Sequence, residues 1–331
     1  MRFTFDGRPV ACEPGQTVAA ALWASGLRVW RTTPDSGRPR GLYCGIGVCF
    51  DCLVTVDGVP NRRACVAPAE PGCRVTTGPV RDLPGPATVG PGPLPETHHD
   101  VAVVGAGPAG LAAAATAARA GLDVVLLDAA PRPGGQFWRH RPGAGGAGQH
   151  RWREFTALRS TVERLVACRY SAPVWFVEPG FRLHTPAGTV RADRLLLATG
   201  AYDRGLPFRG WDLPGVVTPG AAQALLKGSG VLVGRRVVLA GAGPFLLPVA
   251  VGLVRSGARV EGVFEAGNPL GYLSAPGPML RKVPEAARYA AALARHRVPY
   301  HTRHTVVGVR GRAGVHSGGR GSGRAGTYRR V

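Results

Sequence analysis

Two long stretches of the chain repeat one pattern of apolar and polar positions. Each begins with a short apolar run, Val101–Val104 in the first and Arg236–Ala240 in the second. Each run breaks at a glycine-rich turn, continues with apolar residues at helical spacing and ends in a second apolar run. Short apolar runs bounded by turns predict buried strands, and strands that alternate with helices predict a parallel sheet. The pattern therefore predicts an α/β chain with two Rossmann-like, three-layer units.

The first 80 residues follow a different pattern. Met1–Phe5 and Val10–Cys12 alternate around Asp6-Gly7, which predicts a β-hairpin. Thr17–Ser25 has the spacing of a short amphipathic helix with a threonine N-cap, and Leu53–Val56 is typical of a strand. These signals predict a small α+β domain ahead of the two Rossmann-like units.

Changes in composition mark the predicted domain boundaries. Residues 82–99 are rich in proline and glycine without periodicity, which predicts a semi-stiff linker that ends at a solvated His98-His99 pair. Residues 311–331 have few core-forming side chains and predict a disordered Arg/Gly tail, with an RNA-binding segment as the alternative. The predicted divisions are the α+β domain 1–81, the linker 82–99, the first Rossmann-like unit 100–205, the second unit 206–310 and the tail 311–331.

Composition and charge exclude some classes of function. The formal net charge is +21, from 41 basic and 20 acidic residues, but only two of the basic residues are lysine. The arginines are scattered and form no stripe interleaved with aromatic residues, so we expect no nucleic-acid binding. We also expect no signal peptide and no membrane span, which predicts a cytoplasmic protein. Seven cysteines in such a chain favour metal ligation or free thiols over disulfides.

The first glycine-rich turn is Gly105-Ala106-Gly107-Pro108-Ala109-Gly110. Gly105 permits a tight turn, Gly107 lets the backbone approach a pyrophosphate, and Gly110 lets the helix lie close to the sheet. Pro108 and Ala109 belong to the same turn, where the free N–H groups of the helix receive phosphates. Asp128 ends the second strand, where an acid holds a ribose hydroxyl. These residues predict a dinucleotide site; a glycine-rich turn in an ordinary α/β protein is the alternative.

The second turn departs from this pattern. Gly241 and Gly243 are present, but Leu246 replaces the third glycine. Losing that glycine forces the helix away from the sheet or demands a local adjustment. NAD(P) binding at Gly241, Gly243 and Glu265 is therefore one prediction, and a nucleotide-type fold with a degraded site is the other. If the site works, Glu265 favours NAD, because an acid repels a 2′-phosphate.

Four cysteines have the spacing C-x4-C-x2-C-x12-C at Cys44, Cys49, Cys52 and Cys65. Thiolates are the ligands that iron–sulfur clusters require, and four of them complete a [2Fe–2S] site. Gly45 and Gly47 allow a loop to turn tightly around a cluster, with its N–H groups aimed at the sulfurs. Zinc is the weaker alternative, because zinc sites favour paired C-x2-C units. Cys12 and Cys73 fall outside the pattern and are predicted to be buried apolar residues.

These cysteines resemble a plant-type ferredoxin loop with a short gap to its fourth ligand, which implies a ferredoxin-like, β-grasp-type fold for residues 1–81. Together with GAGPAG, RPGGQ, LLLATGAYDRGLPFRGWDLPGV and GAGPF, they resemble the α-type subunit of multimeric amine and amino-acid dehydrogenases. That group contains sarcosine oxidase, opine oxidase, hydrogen cyanide synthase and dye-linked proline dehydrogenase. The resemblance implies that FAD binds the first unit, with Gly135 and Gln136 against the flavin and Thr199 and Gly200 in the segment closing that part of the domain.

The same resemblance implies a function. We expect a FAD- and [2Fe–2S]-dependent oxidoreductase subunit that accepts electrons from a partner flavoprotein subunit, which oxidises an amine or amino acid. The family's flavin domain ends in a closing segment that this sequence lacks, so the chain is expected to be C-terminally truncated. Two alternatives remain open: an NAD(P)H-dependent reductase that feeds an oxygenase, and a flavin-free remnant or assembly module.

The residues provide no convincing acid–base or nucleophile constellation, so no catalytic residue is predicted. Tyr202 and Asp203 come just after the ATG segment and are weak candidates for lining the flavin cleft.

Overall fold

The computed structural model describes residues 1–78, 94–143, 145–146, 149–268 and 283–311, with the backbone of 326–330. The chain divides into two compact units. One unit joins Met1–Arg81 to Asp203–Val331, and the other is Asp82–Tyr202. The predicted α+β domain therefore belongs to the same compact unit as the second Rossmann-like unit.

The N-terminal part is a five-stranded mixed sheet with one buried helix. Its sheet order is β2-β1-β7-β5-β6, in which β1 and β7 are parallel and the other neighbours antiparallel. The side chains of residues 18–23 in α1 are buried, and Thr17 caps its first turn as predicted. This arrangement confirms the predicted β-grasp-type domain. The elements are β1 (Arg2–Phe5), β2 (Arg8–Ala11), α1 (Val18–Ala24), β3 (Arg31–Thr32), β4 (Pro39–Arg40), β5 (Leu53–Val56), β6 (Val59–Arg63) and β7 (Arg74–Thr77).

Residues 94–202 contain a six-stranded sheet in the order β10-β9-β8-β13-β12-β11. The first four strands are parallel, and β12 and β11 continue the sheet as an antiparallel hairpin. Val101–Val103 and the whole of β9 are buried, as expected for central parallel strands. The elements are β8 (Glu96–Val104), α2 (Pro108–Arg119), β9 (Val124–Leu127), α3 (Trp152–Leu165), β10 (Ala167–Arg169), β11 (Phe176–Glu178), β12 (Arg182–Thr185) and β13 (Gly188–Leu197).

The predicted linker needs a correction at its end. Residues 79–93 lie outside the described residues, but β8 already begins at Glu96. His98 and His99 are paired with Arg191 and Ala192 of β13, so they belong to the sheet and not to a solvated linker end. A long neighbouring strand provides backbone partners that a composition argument does not detect.

The remaining residues build the second Rossmann-like unit. Strands β14, β15 and β16 form a parallel sheet, and β17 pairs antiparallel with β18. None of the helices in the described ranges is long and apolar enough to cross a membrane. The elements are α4 (Pro219–Ser229), β14 (Arg236–Gly241), α5 (Leu246–Arg255), β15 (Arg259–Glu265), α6 (Val283–Arg295), β16 (Tyr300–Thr302), β17 (His304–Val309) and β18 (Gly326–Arg330).

The predicted disordered tail also needs a correction. Residues 312–325 and 331 lie outside the described residues. Gly326–Arg330, in contrast, is a strand whose backbone pairs with β17. The prediction of disorder is therefore wrong for these five residues, because backbone pairing does not require the apolar side chains that the prediction relied on.

Candidate cluster and dinucleotide sites

The fold brings the four predicted cluster cysteines together. Cys44, Cys49 and Cys52 lie on one loop that runs into β5, and the β5–β6 hairpin returns the chain so that the Ala64 N–H donates to the Cys52 carbonyl at 3.0 Å. Cys65 therefore follows beside Cys52. The Cys44 thiol is in hydrogen-bond contact with the thiols of Cys49 and Cys65, and Cys52 with that of Cys65. Cys44, Cys52 and Cys65 are buried, and Cys49 is half-buried.

Backbone N–H groups point at these sulfurs, as the glycine-containing loop predicts. The N–H groups of Ile46 and Cys49 donate to Cys44, and the Asp51 N–H donates to the Cys49 sulfur at 3.5 Å. Hydrogen bonds with Cys49 and Cys65 lower the pKa of the Cys44 thiol. Gly45 and Gly47 have φ values of 67° and 84°, which L side chains rarely adopt. Contact with Cys44, together with burial, raises the pKa of the Cys49 and Cys65 thiols. The loop therefore gathers the four sulfurs, and its N–H groups favour the thiolate form at Cys44 and Cys49.

The donor set suits a two-iron cluster. The four thiols form a row of contacts from Cys49 through Cys44 and Cys65 to Cys52. A [2Fe–2S] cluster spreads four thiolates over two irons. This row of thiols therefore fits the iron–sulfur prediction.

Helix α4 supports one side of the cysteine loop. A Cβ built on Gly45 would lie 2.8 Å from the Cα of Ala221, so only a glycine fits between the loop and the helix. The Thr218 N–H donates to the Tyr43 carbonyl at 3.0 Å, and Thr218 is the N-cap of α4. Asp203 accepts from the Gly220 N–H at 2.6 Å. Asp203, a candidate for the flavin cleft on sequence grounds, is thus a capping residue of this helix.

An ion-pair network borders the same loop. Asp51, between the ligands Cys49 and Cys52, pairs with Arg31 at 3.0 Å and with Arg40 at 3.5 Å. Arg40 also pairs with Asp212 at 3.2 Å. Burial raises the pKa of Asp51, although Arg40 and Arg31 oppose that shift. Sequence analysis missed this network, because the arginines come together only when β3 pairs with β4 in the register Arg31 to Arg40.

The predicted flavin residues meet at the carboxyl edge of the first parallel sheet. Gly107 is the N-cap of α2, with Pro108 and Ala109 in its first turn. A Cβ on Gly105 would overlap the Ala198 carbonyl, and a Cβ on Gly110 would overlap the Gly105 carbonyl. Both glycines are therefore required by close backbone approach. The strand, turn and helix have the geometry that receives a pyrophosphate.

The other residues predicted to bind FAD lie around this turn. The Asp128 carboxylate accepts from the N–H groups of Ala106 and Ala130 at 2.5 and 2.6 Å, which leaves it further lone pairs for a ribose hydroxyl. A Cβ on Gly135 would lie 2.9 Å from the Cα of Gly107. The Gln136 amide donates to the Ala201 carbonyl at 2.7 Å. Thr199 and Gly200 come one residue after the end of β13 and are exposed, so they border the same edge.

The second glycine turn shows the expected local adjustment. Helix α2 begins directly after Gly107, whereas α5 begins at Leu246, two residues later relative to the glycines. Leu246 is 3 % exposed, and its side chain lies 3.5 Å from the position of a Cβ on Gly241. Glu265 is buried and accepts from the N–H groups of Gly243 and Gly267, both at 2.9 Å. Glu265, the acid predicted for the second dinucleotide site, thus also stabilises the glycine turn before α5.

Comparison with known proteins agrees with both predicted domain types. Residues 1–79 match the family described as 2Fe-2S iron-sulfur cluster binding domain, and residues 99–326 match the pyridine nucleotide-disulphide oxidoreductases. The HcnA subunit of hydrogen cyanide synthase from Pseudomonas aeruginosa is 47% identical over 77 residues, 23% of this chain and 73% of that protein. An opine oxidase subunit from Rhizobium meliloti (strain 1021) is 37% identical over 206 residues, 56% of this chain. This chain covers 42% of the length of that relative.

A solved structure agrees at the level of the fold. L-Proline dehydrogenase from P. horikoshii superposes with a TM-score of 0.63 at 21% identity, over 95% of this chain and 55% of that one. The comparisons confirm the predicted fold class, the [2Fe–2S] and FAD cofactor classes and a flavin-type oxidoreductase. The individual ligand residues and NAD(P) binding stay predictions.

Proposed function

The chain belongs to the pyridine nucleotide-disulphide oxidoreductase family, and on that premise we propose that it is an electron-transfer subunit of an amine or amino-acid dehydrogenase. The observation that supports this most directly is the convergence of four thiols in a chain that also carries the close-packed dinucleotide turn. A bound flavin accepts an electron pair and releases single electrons, and an iron–sulfur cluster carries one electron at a time. The proposed role is to pass electrons from the oxidation of the amine or amino acid to an acceptor.

Each site has residues that fit its group. Cys44, Cys49, Cys52 and Cys65 ligate the cluster, while the N–H groups of Ile46, Cys49 and Asp51 hold the sulfurs in place. Gly105, Gly107 and Gly110 allow the start of α2 to receive the pyrophosphate of FAD, and Asp128 holds its ribose. Gly135, Gln136, Thr199 and Gly200 border that site and would line it when the flavin is bound.

The partner is proposed from the names of the relatives. The matched opine oxidase and hydrogen cyanide synthase chains are each one subunit of a larger enzyme. We infer that this chain likewise works with a flavoprotein subunit that oxidises the amine. All seven cysteines are free, which suits a reducing cytoplasm.

A second function is favoured by the second glycine turn. Gly241, Gly243 and Glu265 keep the strand–turn–helix–strand order, and Glu265 favours NADH over NADPH. That site supports an NADH-dependent reductase, which would pass electrons from NADH through the cluster to an oxygenase. Anaerobic addition of NADH distinguishes the two functions, because only the reductase bleaches its flavin with NADH in the absence of an amine-oxidising partner.

The main test is the visible spectrum of the anaerobically purified protein, with iron and flavin quantified after release. We expect two irons and one FAD per chain. Iron without flavin would support the flavin-free alternative, and a colourless, iron-free protein would exclude the proposed function.

A further inference from the structure

We propose that residues 203–233 form a docking surface for the iron–sulfur domain, and that this contact holds the domain in place without the covalent linker. We call this surface the domain receptor. Its occupant is the chain's own residues 1–78, so the proposal goes beyond the electron-transfer function and does not depend on it. A domain that is only tethered separates from the chain when the linker is cut, whereas a docked domain stays bound.

Helix α1 is buried on more sides than its own sheet covers. The side chains of residues 18–23 occupy six consecutive positions, which point in all directions around a helix, and each is at most 1% exposed. A helix that is apolar all round needs cover on every side. The apolar cluster that contains these residues also contains Leu225 and Val231, with Val217 and Val233 packed against it. The domain receptor therefore contributes to the core of the iron–sulfur domain.

Two buried side chains of the domain donate hydrogen bonds to the receptor. The indole Nε1–H of Trp23 donates to the Val233 carbonyl at 3.0 Å, and the side-chain amide of Gln16 donates to the Ser229 carbonyl at 3.2 Å. Trp23 and Gln16 are 1 and 5% exposed. A buried donor has no water to turn to if its protein partner is lost. These two bonds therefore fix one orientation of the domain on the receptor.

The receptor also contacts the domain beside the cysteine loop. The Thr218 N–H donates to the Tyr43 carbonyl at 3.0 Å, and the Tyr43 ring packs edge-on against Trp211 with 5.3 Å between the ring centres. Gly45 lies so close to Ala221 that no side chain fits between them. These contacts lie at the amino end of α4, whereas the two buried hydrogen bonds lie at or beyond its carboxyl end. The interface thus runs along a helix about 16 Å long.

Ion pairs lie at the edge of this interface. Arg40 pairs with Asp212 at 3.2 Å, and Arg38 pairs with the same carboxylate at 3.3 Å. The Arg38 side chain is 65% exposed, so its ion pair is open to solvent. An apolar, hydrogen-bonded centre with a polar border is the arrangement of stable protein–protein interfaces. The border contributes orientation, and the apolar centre supplies most of the affinity.

Helix α4 presents the receptor as a rigid surface. Leu225 belongs to the apolar cluster of the iron–sulfur domain, whereas Ala222 belongs to the cluster of the second Rossmann-like unit and Leu226 packs against that cluster. Thr218 caps the first turn of the helix, and Gly230 ends it in the left-handed conformation. A surface that is ordered before docking loses little conformational entropy. The receptor therefore favours a fixed iron–sulfur domain over one that swings on its linker.

The experiment cuts the folded chain in its predicted linker. A protease recognition sequence is inserted between Pro86 and Ala87, and the purified protein is cleaved anaerobically with its cofactors bound. Gel filtration at about 1 µM, where complexes with a Kd weaker than micromolar come apart, then shows whether the two fragments elute together. We expect one peak at the elution volume of the uncut protein, with both fragments and all of the iron in it.

Two tryptophan variants form a matched pair. Trp23→Phe removes the N–H that bonds the Val233 carbonyl, whereas Trp30→Phe removes a buried indole N–H for which the described ranges contain no hydrogen-bond partner. Both tryptophans are at most 2% exposed and belong to the same apolar cluster. A dilution series of the cut protein gives the Kd of the fragments. Trp23→Phe should raise that Kd about tenfold, and Trp30→Phe should leave it unchanged.

A second pair tests the receptor side of the interface. Leu225→Ala removes a side chain from the apolar cluster of the iron–sulfur domain, whereas Leu253→Ala removes an equally buried one from the cluster of the second Rossmann-like unit. Leu225→Ala should raise the Kd of the fragments at least about tenfold. Leu253→Ala should lower the unfolding temperature without raising that Kd. This pair keeps the test decisive if a tryptophan variant fails to fold.

Three results would overturn the proposal. Separation of the wild-type fragments at about 1 µM would mean that the linker provides the attachment. Equal Kd values within both matched pairs would exclude the receptor as the source of affinity. Separation as salt rises from about 0.05 to 0.5 M would mean that the border ion pairs hold the domain and the apolar centre does not. Protein without iron contradicts the proposed function alone, because the elution of the fragments is measured independently of iron.

Discussion

Replacing Gly110 with alanine tests the first dinucleotide turn most directly. A Cβ at this position would overlap the Gly105 carbonyl and lie 3.3 Å from the Ala198 Cβ. Both obstacles belong to a backbone turn or a strand end and cannot rotate aside, so α2 must move away from the sheet by roughly 1 Å to restore van der Waals contact. The phosphate-binding N–H groups move with the helix.

The expected magnitudes follow from two opposing effects. Overpacking costs about 1–3 kcal/mol, and the better helix propensity of alanine returns about 0.5–1 kcal/mol. We expect Gly110→Ala to lower the free energy of unfolding by up to about 2.5 kcal/mol. Displacing one charge-assisted hydrogen bond to a phosphate costs about 1.5–3 kcal/mol, which corresponds to about a tenfold to hundredfold weaker Kd for FAD.

The Kd for FAD is measured by the quenching of flavin fluorescence on binding. The change in stability is measured by thermal unfolding of the apoprotein. Gly252→Ala is the matched control, since it also replaces a helical glycine but its Cβ would lie 3.6 Å from the Leu226 side chain, an ordinary contact. This control should be neutral or stabilising by about 0.5–1 kcal/mol and should leave the Kd for FAD unchanged. Identical FAD affinity and unfolding temperature for the two variants would refute the reasoning.

Three further predictions concern the other sites. Cys65→Ser should abolish stoichiometric iron, whereas Cys73→Ser, also buried, should retain it; equal iron content in the two would contradict the ligand assignment. Asp51→Asn should raise the cluster's reduction potential in a redox titration, because a negative charge that repels the added electron is removed; each 1 kcal/mol of lost repulsion corresponds to about 40 mV for a one-electron couple. Asp212→Asn is its control and should shift the potential less. Glu265→Gln should destabilise the second unit by about 1–3 kcal/mol, since its carboxylate accepts from Gly243 and Gly267, while the surface variant Glu261→Gln should leave the unfolding temperature almost unchanged.

The sequence indicates the candidate sites more clearly than it indicates the helices and strands that support them. Cysteine spacing and glycine turns are visible because the chemistry requires those residue types at fixed positions. Helix α4 was missed even though Thr218 caps it, Pro219 opens it and Gly230 ends it. Its buried face is mainly Gly and Ala, so it gives a weak apolar period, and only the folded chain shows that small residues there let Gly45 approach.

Other omissions have the same tertiary origin. Strand β7 lies inside the N-terminal sheet between β1 and β5, but only Val75 in it is apolar. Its position depends on backbone pairing with strands distant in sequence. The network of Asp51, Arg31 and Arg40 depends on the β3–β4 pairing and on the cysteine loop together. Pairings between distant segments leave no periodic signal along the sequence.

The two glycine turns show how one residue changes a site without changing the fold. At the first turn, Gly110 allows the backbone of α2 to approach Gly105, and the helix starts directly after Gly107. At the second, the Leu246 side chain fills the space near Gly241, and the helix starts two residues later relative to the glycines. Glu265 then accepts hydrogen bonds from the turn itself. Because the strand order survives while the helix start shifts, the free N–H groups of α5 begin two residues further from the second pair of glycines, and we infer that the first turn is the better pyrophosphate site of the two.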